Sequence, residues 1–247
     1  MAWCRLPVLM NYMHFLKSNW ATFLVAWLGL YVSQIDAQER AGKTIMAKGD
    51  VLANDHRSER KLVRRSPIYA IDLITTGQVS ATQLRMKDGG LLSMQASSEL
   101  AISDYVYNHN SHQGTVRMSL LKGGLRTVTG ALQQTSDNYK LVTPVASIGV
   151  RGTHYEAELI KDDLFVGAWD GVIDIQVTVG QLRPQFSLGP TLDYRFAVVR
   201  ADGSVEFLVS VPSAFSAGHS RDLHLAEPHV IDDGKTATSV AKNVAIS

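Results

Sequence analysis

Apolar and polar residues alternate with a period of two along most of this chain, and the 3.6-residue period of a helix is scarce. In the clearest run Ile173, Ile175, Val177 and Val179 fall on one face and Asp174, Gln176 and Thr178 on the other, which predicts a half-buried strand. Residues 204–211 repeat the pattern, Val205, Phe207, Val209 and Val211 alternating against Glu206 and Leu208. Thr82, Leu84 and Met86 oppose Gln83 and Arg85, and Val116, Met118 and Leu120 oppose Arg117 and Ser119. Tyr155, Ala157 and Leu159 oppose His154, Glu156 and Glu158. The pairs Asp88-Gly89, Asp170-Gly171 and Asp202-Gly203 each predict a tight hairpin, because Asp-Gly accepts the positive φ angles such a turn needs. Gly123-Gly124, Gly130 and Gly180 add further breaks. The expected class is all-β: a sandwich, a barrel or a solenoid. The uneven spacing of the Asp-Gly pairs argues against an exact repeat.

The N-terminus breaks the alternation. No charged residue occurs from Ser18 to Ile35, Arg5 and Lys17 precede that stretch, and Ala37 follows it. A basic start, an apolar run and a small residue at the cut predict a secretory signal peptide over residues 1–37, with Met13 an alternative start. The alternative is an uncleaved anchor over 18–35 that would hold the chain at the inner membrane. The expected location is periplasmic or secreted. A boundary is expected near Gly180 to Pro190, followed by a hairpin over Tyr194 to Val211, an irregular extension to residue 232 and a flexible tail over 233–247.

Composition removes several classes. With 247 residues, 45% of them hydrophobic and 19% charged, the chain can bury a core and is too apolar to be disordered. The single cysteine, Cys4, lies before the apolar run, so the body can form no disulfide, thiolate nucleophile or cysteine-based zinc site. The formal net charge of +1 favours no polyanionic partner, and nucleic acid is not expected. The densest basic run, Arg57 to Arg65, is interrupted by Glu59.

The densest signature is Leu121-Lys122-Gly123-Gly124-Leu125-Arg126-Thr127-Val128-Thr129-Gly130, followed by Leu141-Val142-Thr143-Pro144-Val145-Ala146-Ser147-Ile148-Gly149-Val150-Arg151-Gly152-Thr153. Asp72-Leu73-Ile74-Thr75-Thr76 and Leu84-Arg85-Met86-Lys87-Asp88-Gly89 precede it. Together these segments resemble the FecR domain family over about residues 47–180. The resemblance implies a twisted, solenoid-like or sandwich-like domain with a short β-rich C-terminal extension. Asp88, Gly89, Gly124, Arg126, Gly130, Thr143, Pro144, Gly149, Arg151, Gly152 and Thr153 would be its structural signature. In the best-known members such a domain is the outer half of a transmembrane regulator that senses an iron-siderophore transporter and controls a sigma factor. The residues before the apolar segment are too few for a cytoplasmic helical domain, so a stand-alone exported domain is expected. From the residues alone, Gly149 and Gly152 around Val150-Arg151 predict a sharp crossing between strands, with Arg151 donating to carbonyls freed there. Pro144 suits a strand end.

Candidate chemistry is sparse. No nucleophile elbow, P-loop, dinucleotide fingerprint or zincin motif occurs, so no catalytic residue, metal or cofactor is expected. Asp162-Asp163 and Asp232-Asp233 read as solvated acids, and His109, His112, His219, His224 and His229 as loop histidines. Tyr105 and Tyr107 share a strand face and, with Arg151, are the candidate ligand contacts. The leading expectation is a non-catalytic exported module that binds a partner protein or envelope ligand in signalling, by strand addition at an open sheet edge. The alternatives are a structural protein binding the cell wall, and a hydrolase assembled from scattered acids and histidines, probed at Asp170 and His154.

Overall fold

A computed structural model describes residues 39–218, apart from 133, 134 and 136. The expected leader, the flexible tail, Asp232-Asp233 and His219, His224 and His229 lie outside the described residues. The chain runs through β1 (Arg40–Lys48), β2 (Val51–Asn54), β3 (Glu59–Lys61), β4 (Pro67–Tyr69), β5 (Leu73–Thr76), β6 (Ala81–Met86), β7 (Leu91–Met94) and β8 (Glu99–Tyr107). It continues through β9 (Gly114–Val128), β10 (Tyr139–Val142), β11 (Ala146–Ile160), β12 (Asp163–Val177), β13 (Gln185–Leu188), β14 (Phe196–Val199), β15 (Val205–Leu208) and a short helix α1 (Ser213–Gly218). The all-β expectation holds.

Three strands of 15 residues, β9, β11 and β12, organise the rest. Each carries a glycine at positive φ near its middle: Gly123 at 73°, Gly152 at 54° and Gly171 at 67°. At those points the strands change neighbours. The first part of β9 lies between β8 and the parallel β10, and its last part between β7 and β11. The first part of β11 pairs with β10, and its last part with β9. The first part of β12 pairs with β14, and its last part with β13. The sheet therefore has two wings that share three bent strands. One wing runs β4-β1-β6-β7-β9-β11-β12-β14-β15, the other β3-β2-β5-β8-β9-β10-β11-β12-β13. Strands that turn such corners through bulges let one sheet wrap its own core. Leu84, Leu92, Leu125 and Val166 from the first wing and Ile74, Leu100, Met118 and Ile175 from the second belong to one buried cluster.

This arrangement changes several expectations. Asp88-Gly89 and Asp202-Gly203 close hairpins, but Asp170-Gly171 lies inside β12. Asp170 is in register with His154, and the ladder resumes at Val172 opposite Arg151. One left-handed glycine on each strand makes a matched bulge there, which bends the pair without reversing it. For the same reason Gly149 to Gly152 is no crossing: it is continuous β11, with Gly149 in register with Lys140 and Asp174. Gly123-Gly124 likewise bends β9 rather than ending it. The run 204–211 stops at Leu208, leaving Val209 94% exposed ahead of Pro212 and α1. Within it the apolar face is not Val205-Phe207: Phe207 is turned outward, while Leu208 packs with Phe196, Phe165 and Trp169. The stretch around 180–190, expected as a boundary, contains β13 paired to β12.

Gly123 is costlier to alter than Gly152. A Cβ at Gly123 would sit 2.7 Å from the Ser98 Cα and 2.8 Å from the Ser97 carbonyl oxygen, whereas one at Gly152 would meet nothing within 4 Å. Gly123→Ala should therefore lose about 2 kcal/mol or more of stability, and Gly152→Ala about 1 kcal/mol from backbone strain alone. Urea unfolding of both variants checks the order.

Candidate functional site

The signature residues hold turns and corners. The Asp88 carboxylate accepts from the Gly90 N–H at 3.0 Å and from the Tyr105 hydroxyl at 2.6 Å. Its backbone carbonyl accepts from the Ala131 N–H, which brings Gly130 against Asp88 and Gly90. Asp88 thus ties the β6–β7 hairpin to the loop after β9 through its backbone carbonyl and to β8 of the other wing through its carboxylate. Thr143 closes the β10–β11 turn: its Oγ1 accepts from the Ala146 N–H and donates to the Ala146 carbonyl, with Pro144 at the tip. Gly124 faces Gln95, leaving no room for a side chain. Thr153 is part of β11.

Tyr105 and Tyr107 are not an exposed platform. They are 1% and 6% exposed, facing the core. Burial and the adjacent Asp88 carboxylate push the Tyr105 hydroxyl well above the usual phenol range. Tyr107 Oη lies 2.8 Å from His112 Nδ1, fixing the β8–β9 loop. Arg151 reaches no freed carbonyl. Its Nη2 donates to Asp174 at 2.8 Å, and Ser187 donates to the same carboxylate at 2.6 Å, forming a half-exposed link across β11, β12 and β13. Asp163 is not free in solvent either: it accepts from Arg200 at 2.9 Å and from the Ala201 N–H at 3.0 Å.

Two features carry more chemistry. The first is a cross-strand row on the outer side of the first wing, Ser93–Arg126–Glu156–Gly167–Phe196 in register. Arg126 Nε lies 2.7 Å from His154 Nε2, to which it donates, and 3.2 Å from Glu156 Oε1. Glu156 is 2% exposed. Burial pushes its carboxyl up to about 7, Arg126 and the Trp169 N–H oppose that rise, and Glu158 adds to it. Glu158, beside Gln95, is raised by burial too. The alternation places Glu156 on the polar face, but only the tertiary structure shows that this face is covered. His154 and Asp170, the pair probed by the hydrolase reading, face each other across the β11–β12 bulge. No three of the described His, Cys, Asp and Glu residues converge as metal ligands.

The second feature is the open edge β15. Among the described residues it pairs only with β14. The other strands with one described neighbour are β3, which reads Glu59-Arg60-Lys61, β4, which starts at Pro67, and β13, Gln185-Phe186-Ser187-Leu188; the first two are poor templates for another chain. On β15, Phe207 is 41% exposed, stacked on Tyr194 at 4.8 Å and edge-on to Phe186 at 5.1 Å. Leu192, Val209 and Val211 are exposed nearby in sequence. No helix among the described residues is long and apolar enough to cross a membrane.

The described residues form an all-β domain whose signature residues serve its turns and corners. Residues 72–174 match the family model described as FecR protein, in line with the resemblance seen in the sequence. Two crystal structures of a candidate anti-sigma factor from Parabacteroides distasonis, at 1.65 and 2.50 Å resolution, are similar at 14% identity and a TM-score of 0.42. Each comparison covers 55% of this chain and 58% of the other, so the chain spans less than two thirds of that protein. No curated protein matches the sequence.

Proposed function

We propose that this chain is a non-catalytic regulatory module that acts outside the cytoplasm by binding a partner protein along β15. The FecR match supports a regulatory role. The leader-like N-terminus supports export. The observation that carries the binding mode is the side of β15 that no described strand pairs, with Phe207 and Tyr194 stacked beside it. The occupant that fits is an extended segment of the partner, adding a strand through main-chain hydrogen bonds and setting alternate apolar side chains on the aromatic pair. Exposed aromatics of this kind concentrate binding energy.

The test is capture from a solubilised envelope fraction, followed by an affinity measurement with the recovered partner. Phe207→Lys should weaken binding at least tenfold while leaving the melting temperature within a few degrees of the parent. Undiminished binding by that variant would refute the β15 site, and recovery of cell-wall material instead of protein would refute the partner class.

A further inference from the structure

The net charge of +1 conceals a local excess. A cavity of about 380 Å³ opens between β1 and β6, lined by Arg40, Gly42, Lys43, Arg85, Met86, Lys87 and Gly89. Four of these are cationic and none is acidic. Lys43 and Arg85 stand directly opposite each other in the antiparallel pair. Like charges in that position destabilise a sheet. No carboxylate relieves them along their row, which continues to Pro67 on one side and Leu91 on the other. Among the described residues, the ion pair at this mouth joins Lys87 to Glu39 at 3.1 Å, both about half exposed, and Asp88 is turned inward to Tyr105. Arg40, Lys43 and Arg85 are exposed. The basic run that the sequence makes conspicuous ends beside the same strand, where the Arg65 N–H donates to the Thr44 carbonyl. The floor is backbone: a side chain at Gly42 would collide with the Arg85 carbonyl and Met86 Cα.

A cross-strand Lys–Arg pair lining a cavity, over a floor where Gly42 lets β1 and β6 approach closely, is relieved when an anion occupies the space. We infer that the β1–β6 cavity is a binding site for a phosphate-bearing ligand. A phosphate monoester brings roughly two negative charges and several strong acceptors. The planar forks of Arg40 and Arg85 can each grip two of its oxygens, with Lys43 as a point charge between them. The volume is that of a small-molecule site. The same group can come from a soluble phosphorylated compound or from a lipid headgroup. The site is remote in sequence from β15 and does not depend on the partner-binding proposal.

The experiment titrates the purified full chain with inorganic pyrophosphate at low ionic strength, and in a second arm with phosphatidylcholine vesicles with and without phosphatidic acid. Saturable binding is expected, weakening with added salt. Lys43→Gln and Arg85→Gln should each lower affinity at least tenfold, and Lys122→Gln, at an exposed position of β9, should not. Without ligand, Lys43→Gln should melt no lower than the parent, since it relieves the like-charge pair. Binding to phosphatidic acid vesicles alone would support the phosphate chemistry and assign it to a lipid headgroup. No saturable binding in either arm, or equal losses in all three variants, would overturn the inference.

Discussion

Replacing Asp72 with alanine is expected to remove about 3 kcal/mol of folding stability or more, the range for breaking a buried ion pair. The Asp72 side chain is fully buried. Its two oxygens accept from Arg60 Nη2 at 2.6 and 2.7 Å, and Oδ2 also accepts from the Tyr69 N–H at 2.8 Å. Its carbonyl accepts from the Ile102 N–H of β8. Arg60 in turn donates to the Pro67 carbonyl at 3.1 Å and lies over the Tyr69 ring at 4.9 Å. One carboxylate therefore joins β3 of the second wing to β4 of the first, just before β5. Because the Arg60 side chain is 25% exposed, its charge can recover some hydration in Asp72→Ala, which sets the loss at the low end. Arg60→Ala should cost at least as much, because it strands a buried carboxylate. Asp72→Asn keeps an acceptor for the Tyr69 N–H and should lose less. Urea unfolding of the three single variants and the Arg60/Asp72 double variant gives the coupling. Additive losses would show that the pair does not act as a unit.

Much of this fold was legible in period-two alternation, because burying one face of a strand leaves a direct mark on sequence. Ile173, Ile175 and Val177 are all buried, as are Val116, Met118 and Leu120. The hairpins at Asp88-Gly89 and Asp202-Gly203 were legible as well. Asp170-Gly171 was not, because a left-handed glycine serves a bulge and a hairpin equally; which one forms depends on whether the partner strand carries a matching break, here Gly152. Tyr105 and Tyr107 gave the right face and the wrong environment: alternation tells which residues share a side, not which side is covered. The same gap hid Glu156, which sits on the polar face of β11 yet is buried within the outer row. Asp72 is a different case. It appeared only as one letter of a family-like string, and its partner Arg60 lay within the basic run Arg57 to Arg65.

Stability should fall as pH rises from about 4.5 to about 7, and Glu156 should be the main cause. Unfolded, its carboxyl titrates near the ordinary 4.5; folded, it is held up to about 7. Between those values the folded chain keeps a proton that the unfolded chain has released, so deprotonation favours unfolding, and the loss levels off above the folded value. The separation bounds the effect at roughly 3 kcal/mol. Glu158, also raised, adds in the same sense. Asp163 is lowered by Arg200, so its contribution runs oppositely and is lost only as pH falls below the ordinary carboxylate range, outside this window. Glu156→Gln carries a permanent neutral stand-in for the protonated acid. It should flatten most of the slope between pH 5 and 8 and be the more stable form at pH 8, while matching the parent near pH 4.5. Arg126→Gln should steepen the slope, because the cation that opposes the rise is gone. Urea midpoints measured at half-unit pH steps separate these cases. A parent whose midpoint stays level across that range, or a Glu156→Gln variant that follows the parent's slope, would show that the buried carboxyl is ionised throughout.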